Sequence, residues 1–303
     1  ILFRWENMAS IGVGAFVLSI FWRWSMERKA RGAVSTGPSL FARALEAVRQ
    51  PKPRYTCLGL IAVLMLVMPY ISSMYQINIM ISALIYIMLG LGLNIVVGLA
   101  GQLVLGYAAF YAVGAYTYGL LNTYFGLGFW AVLPVGGIMA ALFGLMLGFP
   151  VLRLKGDYLA IVTLAFGEII KELVTCLIVG HDENGLHILF NLTGNKTVED
   201  LGLSDTGIAI IKGAQGTASV KTIASFTAGF ILVMVTLFIV LNLKHSRAGR
   251  AIMALRDNRI ATSSIGINTT KYKLMAFVTS AALAGAAGAL YGLNYSSLQA
   301  AKF

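Results

Sequence analysis

The stretch "GEIIKEL", residues 167–173, places three charges in an otherwise apolar run: Glu168, Lys171 and Glu172. On a helix, Lys171 and Glu172 follow Glu168 at three and four residues and share its face. If that helix crosses a membrane from about Tyr158, Glu168 lies ~15 Å along it, near the midplane. Charge at that depth is costly and by default functional. Two readings stand. Glu168 faces a translocation path and Lys171 partly neutralises it, or the helix reaches the outer interface early and the charges meet water.

Other reactive chemistry is scarce. The chain has no G-x-x-x-x-G-K-[ST] run, so it holds no P-loop. His181, His187 and His245 are scattered outside the apolar segments, and no catalytic or metal-binding constellation forms. Cys57 and Cys176 lack paired spacing, which argues against a disulfide or metal site. Asp157, after "RLKG", reads as a helix N-cap or first-turn acid. The expectation is a chain without catalytic residues, metal or bound cofactor.

The elements that carry these residues are membrane spans. The 303 residues are 58% hydrophobic and 12% charged, with mean hydropathy +0.80, whereas soluble domains are about 25% charged. Residues 55–152 contain no Asp, Glu, Lys or Arg. Those 98 residues have room for four crossings of about 20 residues each. Long unbroken apolar runs exclude a β-barrel, and backbone in lipid must then be helical. The fold class expected is all-α, a polytopic bundle of about eight spans in one transmembrane domain over 1–303. The spans fall near 8–22, 56–75, 78–98, 103–121, 129–150, 158–178, 223–242 and 274–293.

The net charge of +11 resides in loops, which points to membrane orientation and away from nucleic acid. Loop 23–54 has eight Lys/Arg and two Glu, and segment 244–273 has seven Lys/Arg and one Asp. Both should be cytoplasmic. Segment 179–222 carries five acids against three Lys and should be external. The first apolar segment also has a signal-peptide reading, disfavoured by the interfacial Trp5, Trp22 and Trp24 around it. The start "ILFRWENM" and the stop "AAKF" just after a span are expected of a piece of a longer chain.

Two regions interrupt the apolar pattern. In "LGLGLNIVVGLAGQLVLGYAAF", Gly90, Gly92, Gly98, Gly101 and Gly106 are expensive for a helix. With Asn94 and Gln102 they predict either a break buried in the protein, lining a translocation path, or an uncharged surface loop. Small residues elsewhere, Ala140, Gly144 and Gly148 or Ala281, Gly285, Gly288 and Gly292, predict close helix packing.

The second interruption is the basic insert 244–273. "RAGRAIMALR" puts Ala248, Ala251, Ile252 and Leu255 on one helix face, with Arg250 and Arg256 elsewhere. Asp257 or Asn258 can cap a second short helix that Gly266 ends, and Asn268 or Thr269 can cap the next span. Such an insert suits a soluble cytoplasmic partner; binding to anionic membrane lipid is the alternative.

"LGLGLNIVVGLAGQLVLGYAAFYAVGAYTYGLL", "FPVLRLKGDYLAIVTLAFGEII" and "GRAIMALRDNRIATSSIGINTTKYKLMAFVTSAALAGAAGALYG" resemble the LivM-type permease of branched-chain amino acid ABC importers. The resemblance spans roughly 80–175 and 244–292. It lacks the family's first span, its C-terminal spans with a "GGMGS"-like stretch, and the external "TGGxxGI" run. It implies a bacterial cell membrane, a second permease subunit, cytoplasmic ABC ATPases that use ATP and Mg, and an external substrate-binding protein. It also implies that the insert is the coupling element seated in an ATPase groove. In that reading Ala251, Ile252, Leu255 and Ile260 fill the groove, Arg250, Arg256 and Asp257 fix register, and Gly266 ends the element. Branched-chain or related amino acids would move inward after delivery by the binding protein; urea and short-amide importers use similar permeases. The alternative is a secondary transporter or channel without an ATPase, which the charge-free block and the insert both disfavour.

Overall fold

The computed structural model describes residues 73–151, 156–182, 185–191, 208–217 and 226–295, with Pro69, Leu154, 298–300 and Phe303. All of these belong to one compact unit, Pro69–Phe303. The expected spans 8–22 and most of 56–75, the basic loop 23–54 and Cys57 lie outside the described residues.

Helix α1, Met74–Leu93, runs on through a π-helical stretch, Asn94–Leu99. The chain is then non-helical until α2, Ala108–Phe125. Next come α3, Phe129–Val151, and α4, Asp157–Cys176. After a segment of strands, α5 spans Phe226–His245. The insert folds as α6, Arg247–Asp257, and α7, Arg259–Ser264. Helix α8, Thr269–Asn294, closes the bundle.

Four of these helices are long and apolar enough to cross a membrane: Met74–Leu99, Phe129–Val151, Phe226–His245 and Thr269–Asn294. Four tyrosines dilute the apolarity of α2, and charges do the same for α4. The chain is a mostly helical, multi-pass membrane protein. The span expected at 103–121 needs correction, because its helix starts only at Ala108.

Helix α8 sits at the centre because it is built from small residues. Ala276, Ala281, Ala284 and Ala287 are fully buried. A Cβ on Gly285 would meet Ala140 and the Gly136 carbonyl of α3. One on Gly288 would strike the backbone of α2 at Tyr111 and Ala115. The small-residue rows therefore work as close helix contacts, as their spacing predicts. Ile138, Leu142 and Met146 of α3, and Met234 and Phe238 of α5, point outward. In a membrane these large apolar groups meet lipid.

The all-α expectation fails in one place. Strands β1 (Leu177–Asp182), β2 (Gly185–Phe190) and β3 (Ile208–Lys212) form an antiparallel sheet of order β2-β1-β3. The adjacent Ile178 and Val179 of β1 are both buried, so both faces of the central strand are covered. Its sequence then shows no alternation and reads as the tail of α4. Tyr116 of α2 donates to the Leu298 carbonyl at 3.1 Å, and both residues pack with Val179, Ile210 and Ile211.

Candidate functional site

The glycine-rich stretch is a break that three neighbours hold. The π-helix ends with Ala100 donating to the Ile95 carbonyl and Gln102 to the Val96 carbonyl. Gly101 takes φ +64°, a left-handed conformation that favours glycine. A Cβ there would also press on the Arg256 side chain. Four residues on, the Leu105 amide donates to Thr163 Oγ1 of α4 at 3.2 Å. A Cβ on Gly106 would run into the Thr163 carbonyl, and Gly167 lies directly opposite. On the third side, the Tyr107 hydroxyl donates to the Ser280 carbonyl at 2.9 Å, and Ser280 Oγ donates to the Gly92 carbonyl at 2.7 Å.

The predicted break in the helix is therefore present and held by protein contacts, with Gln102, Val104 and Gly106 buried and Gly101, Leu103 and Leu105 exposed. Its glycines differ. Gly92, Gly101 and Gly106 each face atoms that leave no room for a side chain, whereas Gly90 faces open space. Asn94 is exposed, and its side chain lies over Gly98 one π-turn later. Gln102 is 4% exposed, and among the described residues its amide oxygen and nitrogen have no hydrogen-bond partner.

The insert docks on this break. Ser246 caps α6, accepting from the Gly249 amide at 3.0 Å and donating to the Leu243 carbonyl at 2.7 Å. Gly249 is needed there because a Cβ would collide with the Leu243 carbonyl. The apolar face of α6 then lies on the bundle: Ile252 packs with Ile95, Leu99, Ala100, Val240 and Ala276. Arg256 extends over the end of the π-helix and donates from Nη1 to the Gly98 carbonyl at 2.6 Å. It thereby satisfies a carbonyl that the helix terminus leaves open.

This geometry corrects the assignment of Ala251, Ile252 and Leu255 to a partner's groove. All three are buried within the chain, at 8%, 1% and 4% exposure. The periodicity identified the right face, but the bundle itself is the surface that covers it. Arg250 donates to the His245 carbonyl, and Arg256 pairs with Asp257 at 3.3 Å as well as with Gly98. The second short helix behaves oppositely. Asn258 caps it by accepting from the Ile260 and Ala261 amides, and Thr262 hydrogen-bonds back to the Ala254 and Asn258 carbonyls. Its Ile260, at 79%, and the following Ile265, at 75%, are exposed. Gly266 ends it at φ +83°, and Asn268 caps α8. Of the residues offered as caps, Asn258 and Asn268 serve, whereas Gly156 and not Asp157 holds the N-cap position of α4.

On the other side of the break, Glu168 and Lys171 of α4 form an ion pair at 3.2 Å. Glu168 is 11 residues beyond Asp157, ~16 Å along the helix. Beside the pair is a cavity of about 170 Å³ between α2, α4 and Phe303. Gly106 and Gly167 form part of its wall. The segment 98–107 thus touches Arg256 of the insert at one end and the wall of the Glu168 cavity at the other. His181 pairs in register with Leu186 and His187 with Gly180, so the two imidazoles lie on opposite faces of the sheet. No group of three metal-ligating side chains occurs among the described residues.

Sequence reasoning missed Tyr107, Thr163, Gly167 and Ser280. Charges, amides and clustered small residues marked the candidates in the apolar runs, and lone hydroxyls and a lone glycine carry none of these signals. A search for any hydroxyl inside a predicted span would have found Thr163 and Ser280.

The family model described as branched-chain amino acid transport system / permease component matches residues 75–303. The high-affinity branched-chain amino acid transport system permease protein LivM of Escherichia coli (strain K12) is 45% identical over 243 residues. That alignment covers 77% of this chain and 56% of the relative. LivM of Salmonella typhimurium (strain LT2) is 41% identical over 230 residues, covering 74% of this chain and 53% of the relative. The chain spans about half the length of the curated relatives it matches. No solved structure matches.

Proposed function

The chain belongs to the permease-component family of branched-chain amino acid transport systems, and from that membership we propose that it is a permease subunit of an ATP-driven importer. It moves branched-chain or related amino acids inward after an external binding protein delivers them. A second permease subunit completes the pathway, and cytoplasmic ABC ATPases supply the energy with their own ATP and Mg. In this reading the six long described helices, α1–α5 and α8, are six of the roughly eight spans.

The observation that carries the proposal is the Arg256 contact to the Gly98 carbonyl. A soluble-looking insert is tied by a charged hydrogen bond to a break in a membrane helix. In the proposed mechanism the ATPase seats on the exposed side of α7, at Ile260 and Ile265, and not on the buried face of α6. Exposed large apolar side chains on a helix outside the lipid suit a protein partner better than water. Movement of α7 passes to α6 through Thr262, and from α6 to segment 98–107 through Arg256 and Ile252. In this mechanism the break is the element that switches between two arrangements, as such coupling requires. Asn94, Gly98, Gly101, Gln102, Gly106 and Glu168 are the path residues. The unpartnered, buried Gln102 amide supports this, since such a group calls for water or a passing ligand to satisfy it.

The test is reconstitution of the complete transporter in liposomes. Leucine uptake should require ATP inside and the binding protein outside. Uptake driven by an ion gradient without ATP would favour the secondary-transporter reading instead.

A further inference from the structure

The cavity beside Glu168 joins two kinds of surface seldom found together inside a membrane helix bundle. Most of its wall is aliphatic: Ala108, Ala109 and Ala112 of α2 face Leu164, Ile170 and Val174 of α4. At its edge lies a single opposite-charge pair, with Lys171 Nζ 3.2 Å from Glu168 Oε2. Neither charge is locked away, because the Lys171 and Glu168 side chains are 39% and 62% exposed. The Tyr116 hydroxyl, which also borders the cavity, is already committed to the Leu298 carbonyl. The volume of about 170 Å³ is on the scale of the ~150 Å³ apolar cavity that accepts one benzene. It therefore has room for one compact hydrocarbon side chain.

We propose that this cavity is a transient binding site for a zwitterionic aliphatic α-amino acid during its passage. The Glu168 carboxylate takes the ligand's ammonium group, the Lys171 ammonium takes its carboxylate, and the apolar wall takes its side chain. The pair that neutralises itself in the empty site is exchanged for two intermolecular pairs of the same kind, so no charge is left bare in the low-dielectric bundle. A neutral amide gains nothing from that exchange, so the site selects amino acids over amides. The site lies below the sheet end of the bundle, and Gly106 and Gly167 in its wall belong to the contact that ties the break to α4. A shift of the break would deform the cavity directly and expel the ligand. This inference rests on the importer reading for its choice of ligand.

A photo-crosslinking experiment tests it with the complete wild-type transporter in nanodiscs, using a diazirine analogue of leucine and no binding protein. Label should appear on peptides containing 105–116 and 164–174. Leucine should displace it on the order of tenfold more effectively than leucinamide, which lacks the carboxylate, or isocaproate, which lacks the ammonium. Ala112→Leu, which fills the cavity, should remove the label, and Glu168→Gln should weaken it on the order of tenfold. Label confined to other segments, or equal displacement by all three competitors, overturns the site. ATP-driven leucine uptake by the same purified transporter, reconstituted in liposomes with its binding protein, is measured in parallel. Uptake with label elsewhere removes the site alone, and label in the cavity without uptake removes the importer reading alone.

Discussion

The two short helices of the insert, α6 and α7, are adjacent, similarly basic and joined at Asn258, yet they face opposite ways. In α6 the apolar residues Ala251, Ile252 and Leu255 are buried against the π-helix and the ends of α5 and α8. In α7 only Thr262 is buried, and Ile260 stands in the open. An amphipathic stripe shows that a helix has a covered face; it does not show whether the cover is its own chain or another. Here the first helix is an anchor and the second is the free surface.

The largest effect expected from this contrast is at the anchor. Ile252→Glu puts a carboxylate among Ile95, Leu99 and Val240, at a cost of about 4 kcal/mol or more. The permease should lose thermal stability or fail to accumulate, whether or not an ATPase is present. A normal melting temperature for the purified variant would remove the anchor role.

Arg256→Ala comes next. It deletes the bond to the Gly98 carbonyl, and charged hydrogen bonds contribute about 1.5–3 kcal/mol. The half-exposed guanidinium places this case at the lower end. ATP hydrolysis should continue while uptake falls, because the insert no longer pulls on the break. Equal loss of both activities would make Arg256 a general stability residue.

The break itself can be separated from ordinary turn strain. Gly101 and Gly126 share φ +64°, so an alanine at either position meets a left-handed cost of about 1–2 kcal/mol. Only at Gly101 does the added methyl also displace Arg256; at Gly126 it meets nothing within 4 Å. Gly101→Ala should therefore lower uptake well beyond Gly126→Ala at similar expression. Matching uptake would reduce the break to a simple turn.

The smallest change in stability is expected at Gln102. Leucine there removes a buried amide with no partner, so the fold should be unchanged or more stable by about 1 kcal/mol. Uptake should nevertheless fall if the amide faces the path. A stable variant with wild-type uptake would take Gln102 out of the path.

Sequence reasoning fared unevenly across these regions for physical reasons. The caps at Asn258, Gly266 and Asn268 were legible because capping depends on a few neighbouring residues. The small-residue faces of α3 and α8 were legible because their spacing follows the helix period. The buried strand β1 was hidden, since covering both faces erases the alternation that marks a strand. The π-helix and the Arg256 contact were also hidden. Arg256 and Gly98 are 158 residues apart, and nothing local to either announces the other. Glu168 and Lys171 could be paired by their spacing, but the cavity beside them depends on α2, which pattern alone could not place.

The central claim is that the insert offers α7 to an ATPase while α6 holds the membrane break. Co-purification of the ATPase subunits with detergent-solubilised permease tests it most directly, comparing wild type with Ile260→Glu and with Arg250→Gln. Ile260→Glu should lose the ATPases while the permease keeps its wild-type melting temperature. Arg250→Gln, whose side chain is occupied with the His245 carbonyl, should retain them. Full retention of the ATPases by Ile260→Glu, or their absence from the wild-type complex, would contradict the account.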